Sequence, residues 1–142
     1  MKPPVSGFCV YTIAQTSKLK EKEKENGGKG NLTEHKNWAT ARKLLLEAKA
    51  KGEAMFIVFA PAEDTRELIF WARLDDIRIQ SVEKQTTTTY DFSGLTAFPK
   101  PVPKKKSLVL RSSGRNISAS FIRPYAICKT PKFLLDRLKQ KH

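Results

Sequence analysis

Basic side chains are the residues of this sequence best suited to chemistry, and the chemistry they suit is binding phosphate. The 142 residues include 27 Lys and Arg against 14 Asp and Glu, which gives a formal net charge of +13 at pH 7. Such a surface repels itself unless an anionic partner neutralises it. The phosphates of a nucleic acid provide that neutralisation, so we expect RNA or DNA as the partner.

Two groups of cations are the strongest candidates for these contacts. They are Lys104, Lys105 and Lys106 in a proline-rich arm, and Arg111, Arg115 and Arg123 around the last predicted hairpin. The lysine run has no neighbouring acid, so it predicts anion binding or else a solubilising arm. A guanidinium on a strand or turn can fork onto a phosphate or a base edge, although surface ion pairs are the alternative. The early lysines of residues 18–29 alternate with glutamates, a pattern typical of a solvated face.

Aromatic rings are the second requirement for recognising a single strand, because any base can stack on them. Trp38, Tyr90 and Tyr125 have polar or basic neighbours, and we predict that they contact a base. Packing in the core is the alternative for each ring. Trp71 lies inside the apolar run IFWA, which favours the core.

Catalytic constellations are not recognisable in the sequence. Asp64, Asp75 and Asp91 are the acids that a metal-dependent nuclease would use, but adjacent side chains on a strand point to opposite faces. The two cysteines and two histidines lack the spacing of a metal site or a nucleophilic triad. We expect no cofactor, no metal and a non-enzymatic binding module. A small nuclease, or a basic subunit that docks on a protein through Lys104 to Lys106, remains the alternative.

The pattern of apolar residues predicts a single α+β domain spanning residues 1–142. We expect strands at residues 7–14, 54–60, 67–82 and 86–92, and a helix from Trp38 to Gly52 whose capping box is Asn31 and Glu34. A final hairpin turns at Ser113-Gly114, and Pro131 begins a short C-terminal helix. Residues 18–30 are predicted to be a mobile basic loop and residues 98–106 an exposed basic arm.

Because one long helix is followed by several consecutive strands, we expect a curled, mostly antiparallel sheet or a small β-barrel. It carries one main helix and the short C-terminal helix. The apolar runs are much shorter than the roughly 20 residues of a spanning helix, and the N-terminus lacks the apolar core of a signal peptide. These observations predict a cytoplasmic protein outside the membrane.

The order of these elements resembles the pseudo-barrel of the PUA-like superfamily, whose EVE, ASCH and YTH branches read nucleic acids. The resemblance lies in an N-terminal strand, a helix with an aromatic residue, the strands FIVFAPAED and ELIFWARLDDIRI, and a late hairpin. It covers most of the chain by the order of its elements. The resemblance implies a small cleft that takes an unstacked base.

Overall fold

The structure is a computed structural model that describes residues 4–25, 28–118 and 125–140, the last four by their backbone alone. Its elements are β1 (Val5–Ala14), α1 (Thr16–Lys24), β2 (Gly30–Glu34), α2 (Ala39–Ala50), β3 (Ala54–Pro61), β4 (Glu67–Val82), β5 (Gln85–Pro103), α3 (Lys104–Ser107), β6 (Tyr125–Lys129) and α4 (Lys132–Gln140). The strands form one six-stranded sheet in the order β2-β5-β4-β3-β1-β6. Only β1 and β3 run parallel, so the predicted α+β class with a mostly antiparallel sheet is confirmed.

The strand β3 lies inside the sheet and is buried along its whole length. Its side chains alternate between two apolar clusters, as they must on a pleated strand. Met55, Ile57 and Phe59 enter the cluster under α2. Phe56 and Val58 enter the cluster on the opposite face, which includes Trp71 and the C-terminal Leu134. Both faces of the sheet are therefore covered, which explains why this segment reads as a continuous apolar run.

The sheet curls toward the cluster under α2. In a flat sheet the four intervals that separate β2 from β1 would measure roughly 19 Å. Instead, the hydroxyl of Thr12 on β1 donates to Oε1 of Glu34 on β2 at 2.8 Å. This side-chain contact spans the opening, but no described backbone pairing joins the two strands. The sheet is thus curled and not closed into a barrel.

Helix α2 forms where the apolar spacing predicted it and ends at Gly52, whose φ of 72° suits glycine. The predicted capping box is wrong, because Asn31 and Glu34 belong to strand β2. The first helical N–H groups find other acceptors. Asn37 Oδ1 accepts from Ala39 N, and the hydroxyl of Tyr125 accepts from Ala41 N at 3.1 Å. The helix start therefore depends partly on a residue from the last strand.

The segment predicted as a mobile loop at residues 18–30 contains regular structure. Helix α1 occupies most of it, and Gly30 begins β2. Leu19 is the buried residue that docks this helix against the core. A single apolar residue among many charges gives no detectable period, so the sequence pattern did not reveal the helix.

The predicted exposed arm at residues 98–106 also differs from the structure. Strand β5 continues to Pro103, with Phe98 buried, and α3 follows as a single turn. Of the predicted final hairpin, the described residues form a short turn with an isolated bridge between Val109 and Asn116, and residues 119–124 lie outside the described part of the chain. Strand β6 pairs with β1 instead, and α4 begins after Pro131 as predicted. No helix in the described parts of the chain is long and apolar enough to span a membrane.

The β4–β5 hairpin turns through Glu83 and Lys84, which have φ angles of 48° and 69°. A two-residue turn with both φ values positive is of the type I′ kind, which favours Asn-Gly. We expect replacement of Glu83-Lys84 by Asn-Gly to raise the free energy of unfolding by about 1–2 kcal/mol, because side chains with a Cβ are strained there. Urea unfolding measures the change, and net charge is unaltered.

The control variant places the same Asn-Gly pair three residues earlier, where it replaces Gln80 and Ser81 of the paired strand β4. That variant should lose stability, because glycine weakens a strand. Equal effects of the two variants would contradict the strain at the turn.

Candidate nucleic-acid interface

Most of the predicted cations lie on one segment, residues 104–117, which we call the basic segment. Its ends are anchored because Leu108 and Ile117 are buried in the cluster beneath it. Ile117 N donates to Leu108 O at 2.8 Å, and the amide of Asn116 donates to Lys105 O at 3.0 Å. The exposed cations are Lys105, Lys106, Arg111 and Arg115. The fold therefore holds four positive side chains on a fixed piece of backbone.

Lys104 differs from its neighbours and corrects the expectation of an exposed lysine run. Its residue is 0% exposed, and its Nζ donates to the hydroxyl of Tyr11 at 3.2 Å. The ammonium also lies 5.3 Å from the centroid of the Tyr11 ring. Burial lowers the pKa of Lys104, which the charge of Asp64 partly opposes. This lysine attaches α3 to the core and is not available to a phosphate.

A groove of about 380 Å³ lies between the start of α2, strand β6 and the basic segment. Its polar lining comes from Arg111, Ser112, Thr40 and Tyr125. Arg111 N donates to Ile127 O at 2.9 Å, and its guanidinium carbon lies 5.2 Å from the centroid of the Phe8 ring. The hydrogen bond holds the backbone of Arg111, and the ring contact holds its side chain, so the guanidinium has a fixed position at the groove.

Three predicted ring contacts form one stack inside the molecule. Trp38 lies between Tyr90, with centroids 4.4 Å apart, and Tyr125, with centroids 4.7 Å apart, and both pairs are nearly parallel. Trp38 and Tyr90 are 0% exposed, so neither ring presents a free face on which a base could stack. Mutual stacking removes more apolar area from water than exposure would allow. Of the three rings, Tyr125 is the one that lines the groove beside the basic segment.

No protein-family model matches the sequence, and no curated protein is significantly similar to it. The assignment of a function therefore depends on the geometry of the described residues. Of the predicted contacts, Arg111 and Tyr125 meet at the groove, and Lys105, Lys106 and Arg115 extend along the segment that forms its side. Arg123 lies outside the described residues.

A second concavity, of about 210 Å³, opens on the other side of the ring stack. Glu34, Tyr90, Leu32 and Ile13 are part of its lining, and Lys18 stands among them. Glu34 was predicted only as a helix cap. Burial raises its pKa to about 7, and the hydrogen bond from Thr12, the neighbouring Trp38 indole and the charge of Lys36 only partly oppose this.

Three buried polar atoms around this concavity have no well-formed hydrogen bond within the described protein. They are Glu34 Oε2, Trp38 Nε1 and the hydroxyl of Tyr90. Burial also raises the pKa of Tyr90, and the neighbouring Glu34 charge adds to this. Buried polar atoms in native proteins are normally satisfied, so the cluster is suited to a polar group supplied from outside. No sequence pattern indicates this cluster, because the three residues meet only through folding.

The acids proposed for a nuclease are paired with arginines. Asp91 receives two hydrogen bonds from Arg78, at 2.6 and 3.0 Å. Asp64 receives the guanidinium of Arg66, which lowers the pKa of the carboxyl to about 2. Asp75 lies 3.5 Å from Arg73. Each acid thus contacts a cation that competes with a metal ion, and no cluster of metal ligands occurs among the described residues.

Proposed function

We propose that this chain is a non-enzymatic nucleic-acid-binding module whose groove holds a sugar-phosphate backbone. The observation that carries the proposal is the position of Arg111, supported by Phe8 and Ile127 at a groove that Tyr125 also lines. A guanidinium offers two parallel donors to one phosphate. Thr40 and Ser112 add hydroxyl donors on either side.

Electrostatics supports the same surface. None of the ion pairs among the described residues involves Arg111, Arg115, Lys105 or Lys106. The acids that form ion pairs with arginines lie on β4, on β5 and in the turn between β3 and β4. The charge on the basic segment is therefore not compensated locally. Condensed counterions leave when such cations meet a phosphate backbone, which favours binding at low salt. The ligand of the proposal is RNA or DNA, and its place of action is the cytoplasm.

The finer part of the proposal is a PUA-like fold in which one unstacked base enters the second concavity. Support comes from the curled sheet and from the unpartnered polar atoms of Glu34 and Tyr90. Glu34 Oε1 already accepts from Thr12, so Oε2 is the free acceptor and the Tyr90 hydroxyl is a donor. The Watson–Crick edge of each base carries a donor beside an acceptor, which matches this pair.

The test is a titration of single- and double-stranded RNA and DNA at two salt concentrations, with Arg111→Gln compared with the parent protein. We expect the variant to bind roughly ten-fold more weakly and the salt slope to fall by about 0.7–0.9, because one phosphate contact is lost. Comparing Tyr90→Phe with the parent protein on single-stranded RNA and DNA tests the base concavity in the same assay, and we expect the variant to bind more weakly because it lacks the hydroxyl donor.

The matched control is Lys49→Gln, which removes one positive charge at the other end of α2, roughly 14 Å from Thr40 along the helix. It should change affinity less than two-fold. Equal weakening by both variants would mean that net charge alone drives binding. Absent or salt-independent binding of all four nucleic acids would reject the module itself.

A further inference from the structure

The two cysteines of the chain meet across a strand pair. Cys9 on β1 and Cys128 on β6 are direct partners in the antiparallel register, although 119 positions separate them in the sequence. Both are 0% exposed, and both thiols are free. Directly opposed residues of a ladder point to the same face, and both side chains belong to the same apolar cluster.

The register also fixes how far apart the two backbones lie. Thr130 N donates to Gly7 O at 2.9 Å, and hydrogen-bonded pairs recur at every second residue of an antiparallel ladder. Cys9 and Cys128 therefore form such a pair, whose Cα atoms are about 5.5 Å apart. A disulfide needs Cα atoms roughly 4.4–6.8 Å apart, which this spacing meets. It also needs Cβ atoms roughly 3.5–4.5 Å apart, whereas those of a hydrogen-bonded pair lie at about 5–5.5 Å, so joining the sulfurs requires the two strands to draw together by about 1 Å.

The position of Cys128 links this pair to the rest of the fold. Strand β6 is the last strand of the sheet, and its other side contacts the basic segment. Leu110 forms a bridge with Cys128 itself, and Lys129 N donates to Val109 O at 2.8 Å. A covalent bond between the cysteines would therefore fix β6 to β1 and would hold the basic segment through β6.

We propose that Cys9 and Cys128 are the site of a reversible disulfide that clamps strand β6 onto β1. The proposal is independent of the proposed function, because it concerns the strand pair and needs no nucleic acid. The oxidant is a small-molecule disulfide such as oxidised glutathione.

The chemistry proceeds in two exchange steps. The Cys128 thiol loses its proton to solvent, its sulfur attacks the glutathione disulfide, and one glutathione thiolate leaves and takes up a proton. The Cys9 thiolate then attacks the Cys128 sulfur of the mixed disulfide and releases the second glutathione. In total the protein loses two protons and two electrons, and the oxidised glutathione gains them as it becomes two molecules of glutathione.

Burial determines the rate of this reaction. It raises the pKa of the Cys128 thiol to about 12 and also raises the pKa of Cys9, with the Cys128 charge as a second cause for Cys9. The thiolates are scarce in the closed fold, so the first exchange requires β6 to lift from β1. Oxidation should therefore be slow in native buffer and faster in mild denaturant.

The experiment uses the full chain in glutathione buffers of graded redox potential, with intact-mass measurement after acid quenching and a thermal melt. We expect a monomer that has lost two hydrogens, a melting temperature raised by about 10 °C because a long loop is closed, and full reversal by dithiothreitol. The single variants Cys9→Ala and Cys128→Ala should show neither the mass loss nor the raised melting temperature.

Three outcomes would overturn the clamp. The first is retention of both free thiols after prolonged exposure to excess oxidised glutathione in mild denaturant, where β6 can lift from β1. The second is a product that consists of linked dimers or stays at the mixed-disulfide stage. The third is a disulfide that forms but lowers the melting temperature, which would show that the paired geometry does not accommodate it. The parent protein alone decides all three, so the result does not depend on how well the variants fold.

Discussion

Replacing Trp38 with alanine is expected to lower the free energy of unfolding by about 3–5 kcal/mol, the usual cost of removing a buried large ring. The indole is wholly buried and touches Tyr90 on one face and Tyr125 on the other. Its removal leaves a gap that two rings from different strands cannot both fill. Urea unfolding followed by circular dichroism measures the loss, and Trp71 remains available as a fluorescent reporter.

Two further variants sharpen this prediction. Trp38→Phe keeps a ring between the tyrosines and should cost clearly less than the alanine variant. Leu46→Ala truncates a residue of the same helix that is 51% exposed, and it should change stability by about 0.5 kcal/mol or less. A loss below about 1.5 kcal/mol for Trp38→Ala, far from the cost of a core deletion, would contradict the stacked arrangement.

Glu34→Gln is expected to stabilise the protein at pH 8 by about 2 kcal/mol, with little effect near pH 4.5. The native pKa of Glu34 is about 7, against an ordinary value of 4.5, chiefly because burial disfavours the charged carboxylate. The folded state therefore binds this proton more tightly than the unfolded state does. The contribution of Glu34 to the parent's stability should be fully present below pH 4.5 and should be lost as pH rises through 7.

The full shift would correspond to about 3 kcal/mol, and partial exposure of the Glu34 side chain reduces the expected effect. Glutamine keeps an oxygen to accept from Thr12 but carries no charge, so the fall with pH should disappear in the variant. The control is Glu47→Gln on the exposed side of α2. Unfolding curves at pH 4.5, 6, 7 and 8 measure the profile. Parallel profiles for Glu34→Gln and the parent would show that this carboxyl is not responsible.

The parts of the fold that follow a local period could be predicted from the sequence. The short continuous apolar run of β3 predicts a buried strand, and the three- and four-residue apolar spacing of α2 predicts a helix. Helix α1 could not be predicted, because its fold-determining contact is the single Leu19. The second strand of the predicted final hairpin overlaps β6, but its pairing with β1 was not predicted, because the turn at Gly114 indicated a pairing partner nearer in the sequence.

The residues of the candidate site likewise fall into those whose position residue type predicts and those whose position only tertiary contacts determine. Exposure of Arg111 and Lys105 follows from residue type and was predicted correctly as a property of the surface. The burial of Lys104 depends on Tyr11, and the burial of Trp38 depends on rings from β5 and β6. Residue type favours the surface for a lysine and leaves a tryptophan undecided, so only the tertiary partners determine these positions.

Strand β1 lies between β3, with which it pairs parallel, and β6, with which it pairs antiparallel. This arrangement determines when the sheet can be completed during translation. An amino-terminal strand that receives its second neighbour from Tyr125–Lys129 stays incomplete while most of the chain is being translated. During that interval one edge of the nascent sheet exposes unpaired amides beside apolar side chains, which is the kind of surface that aggregates. We expect a ribosome-stalled chain ending before Tyr125 to bind holdase chaperones, and the chain that extends through α4 to be released from them.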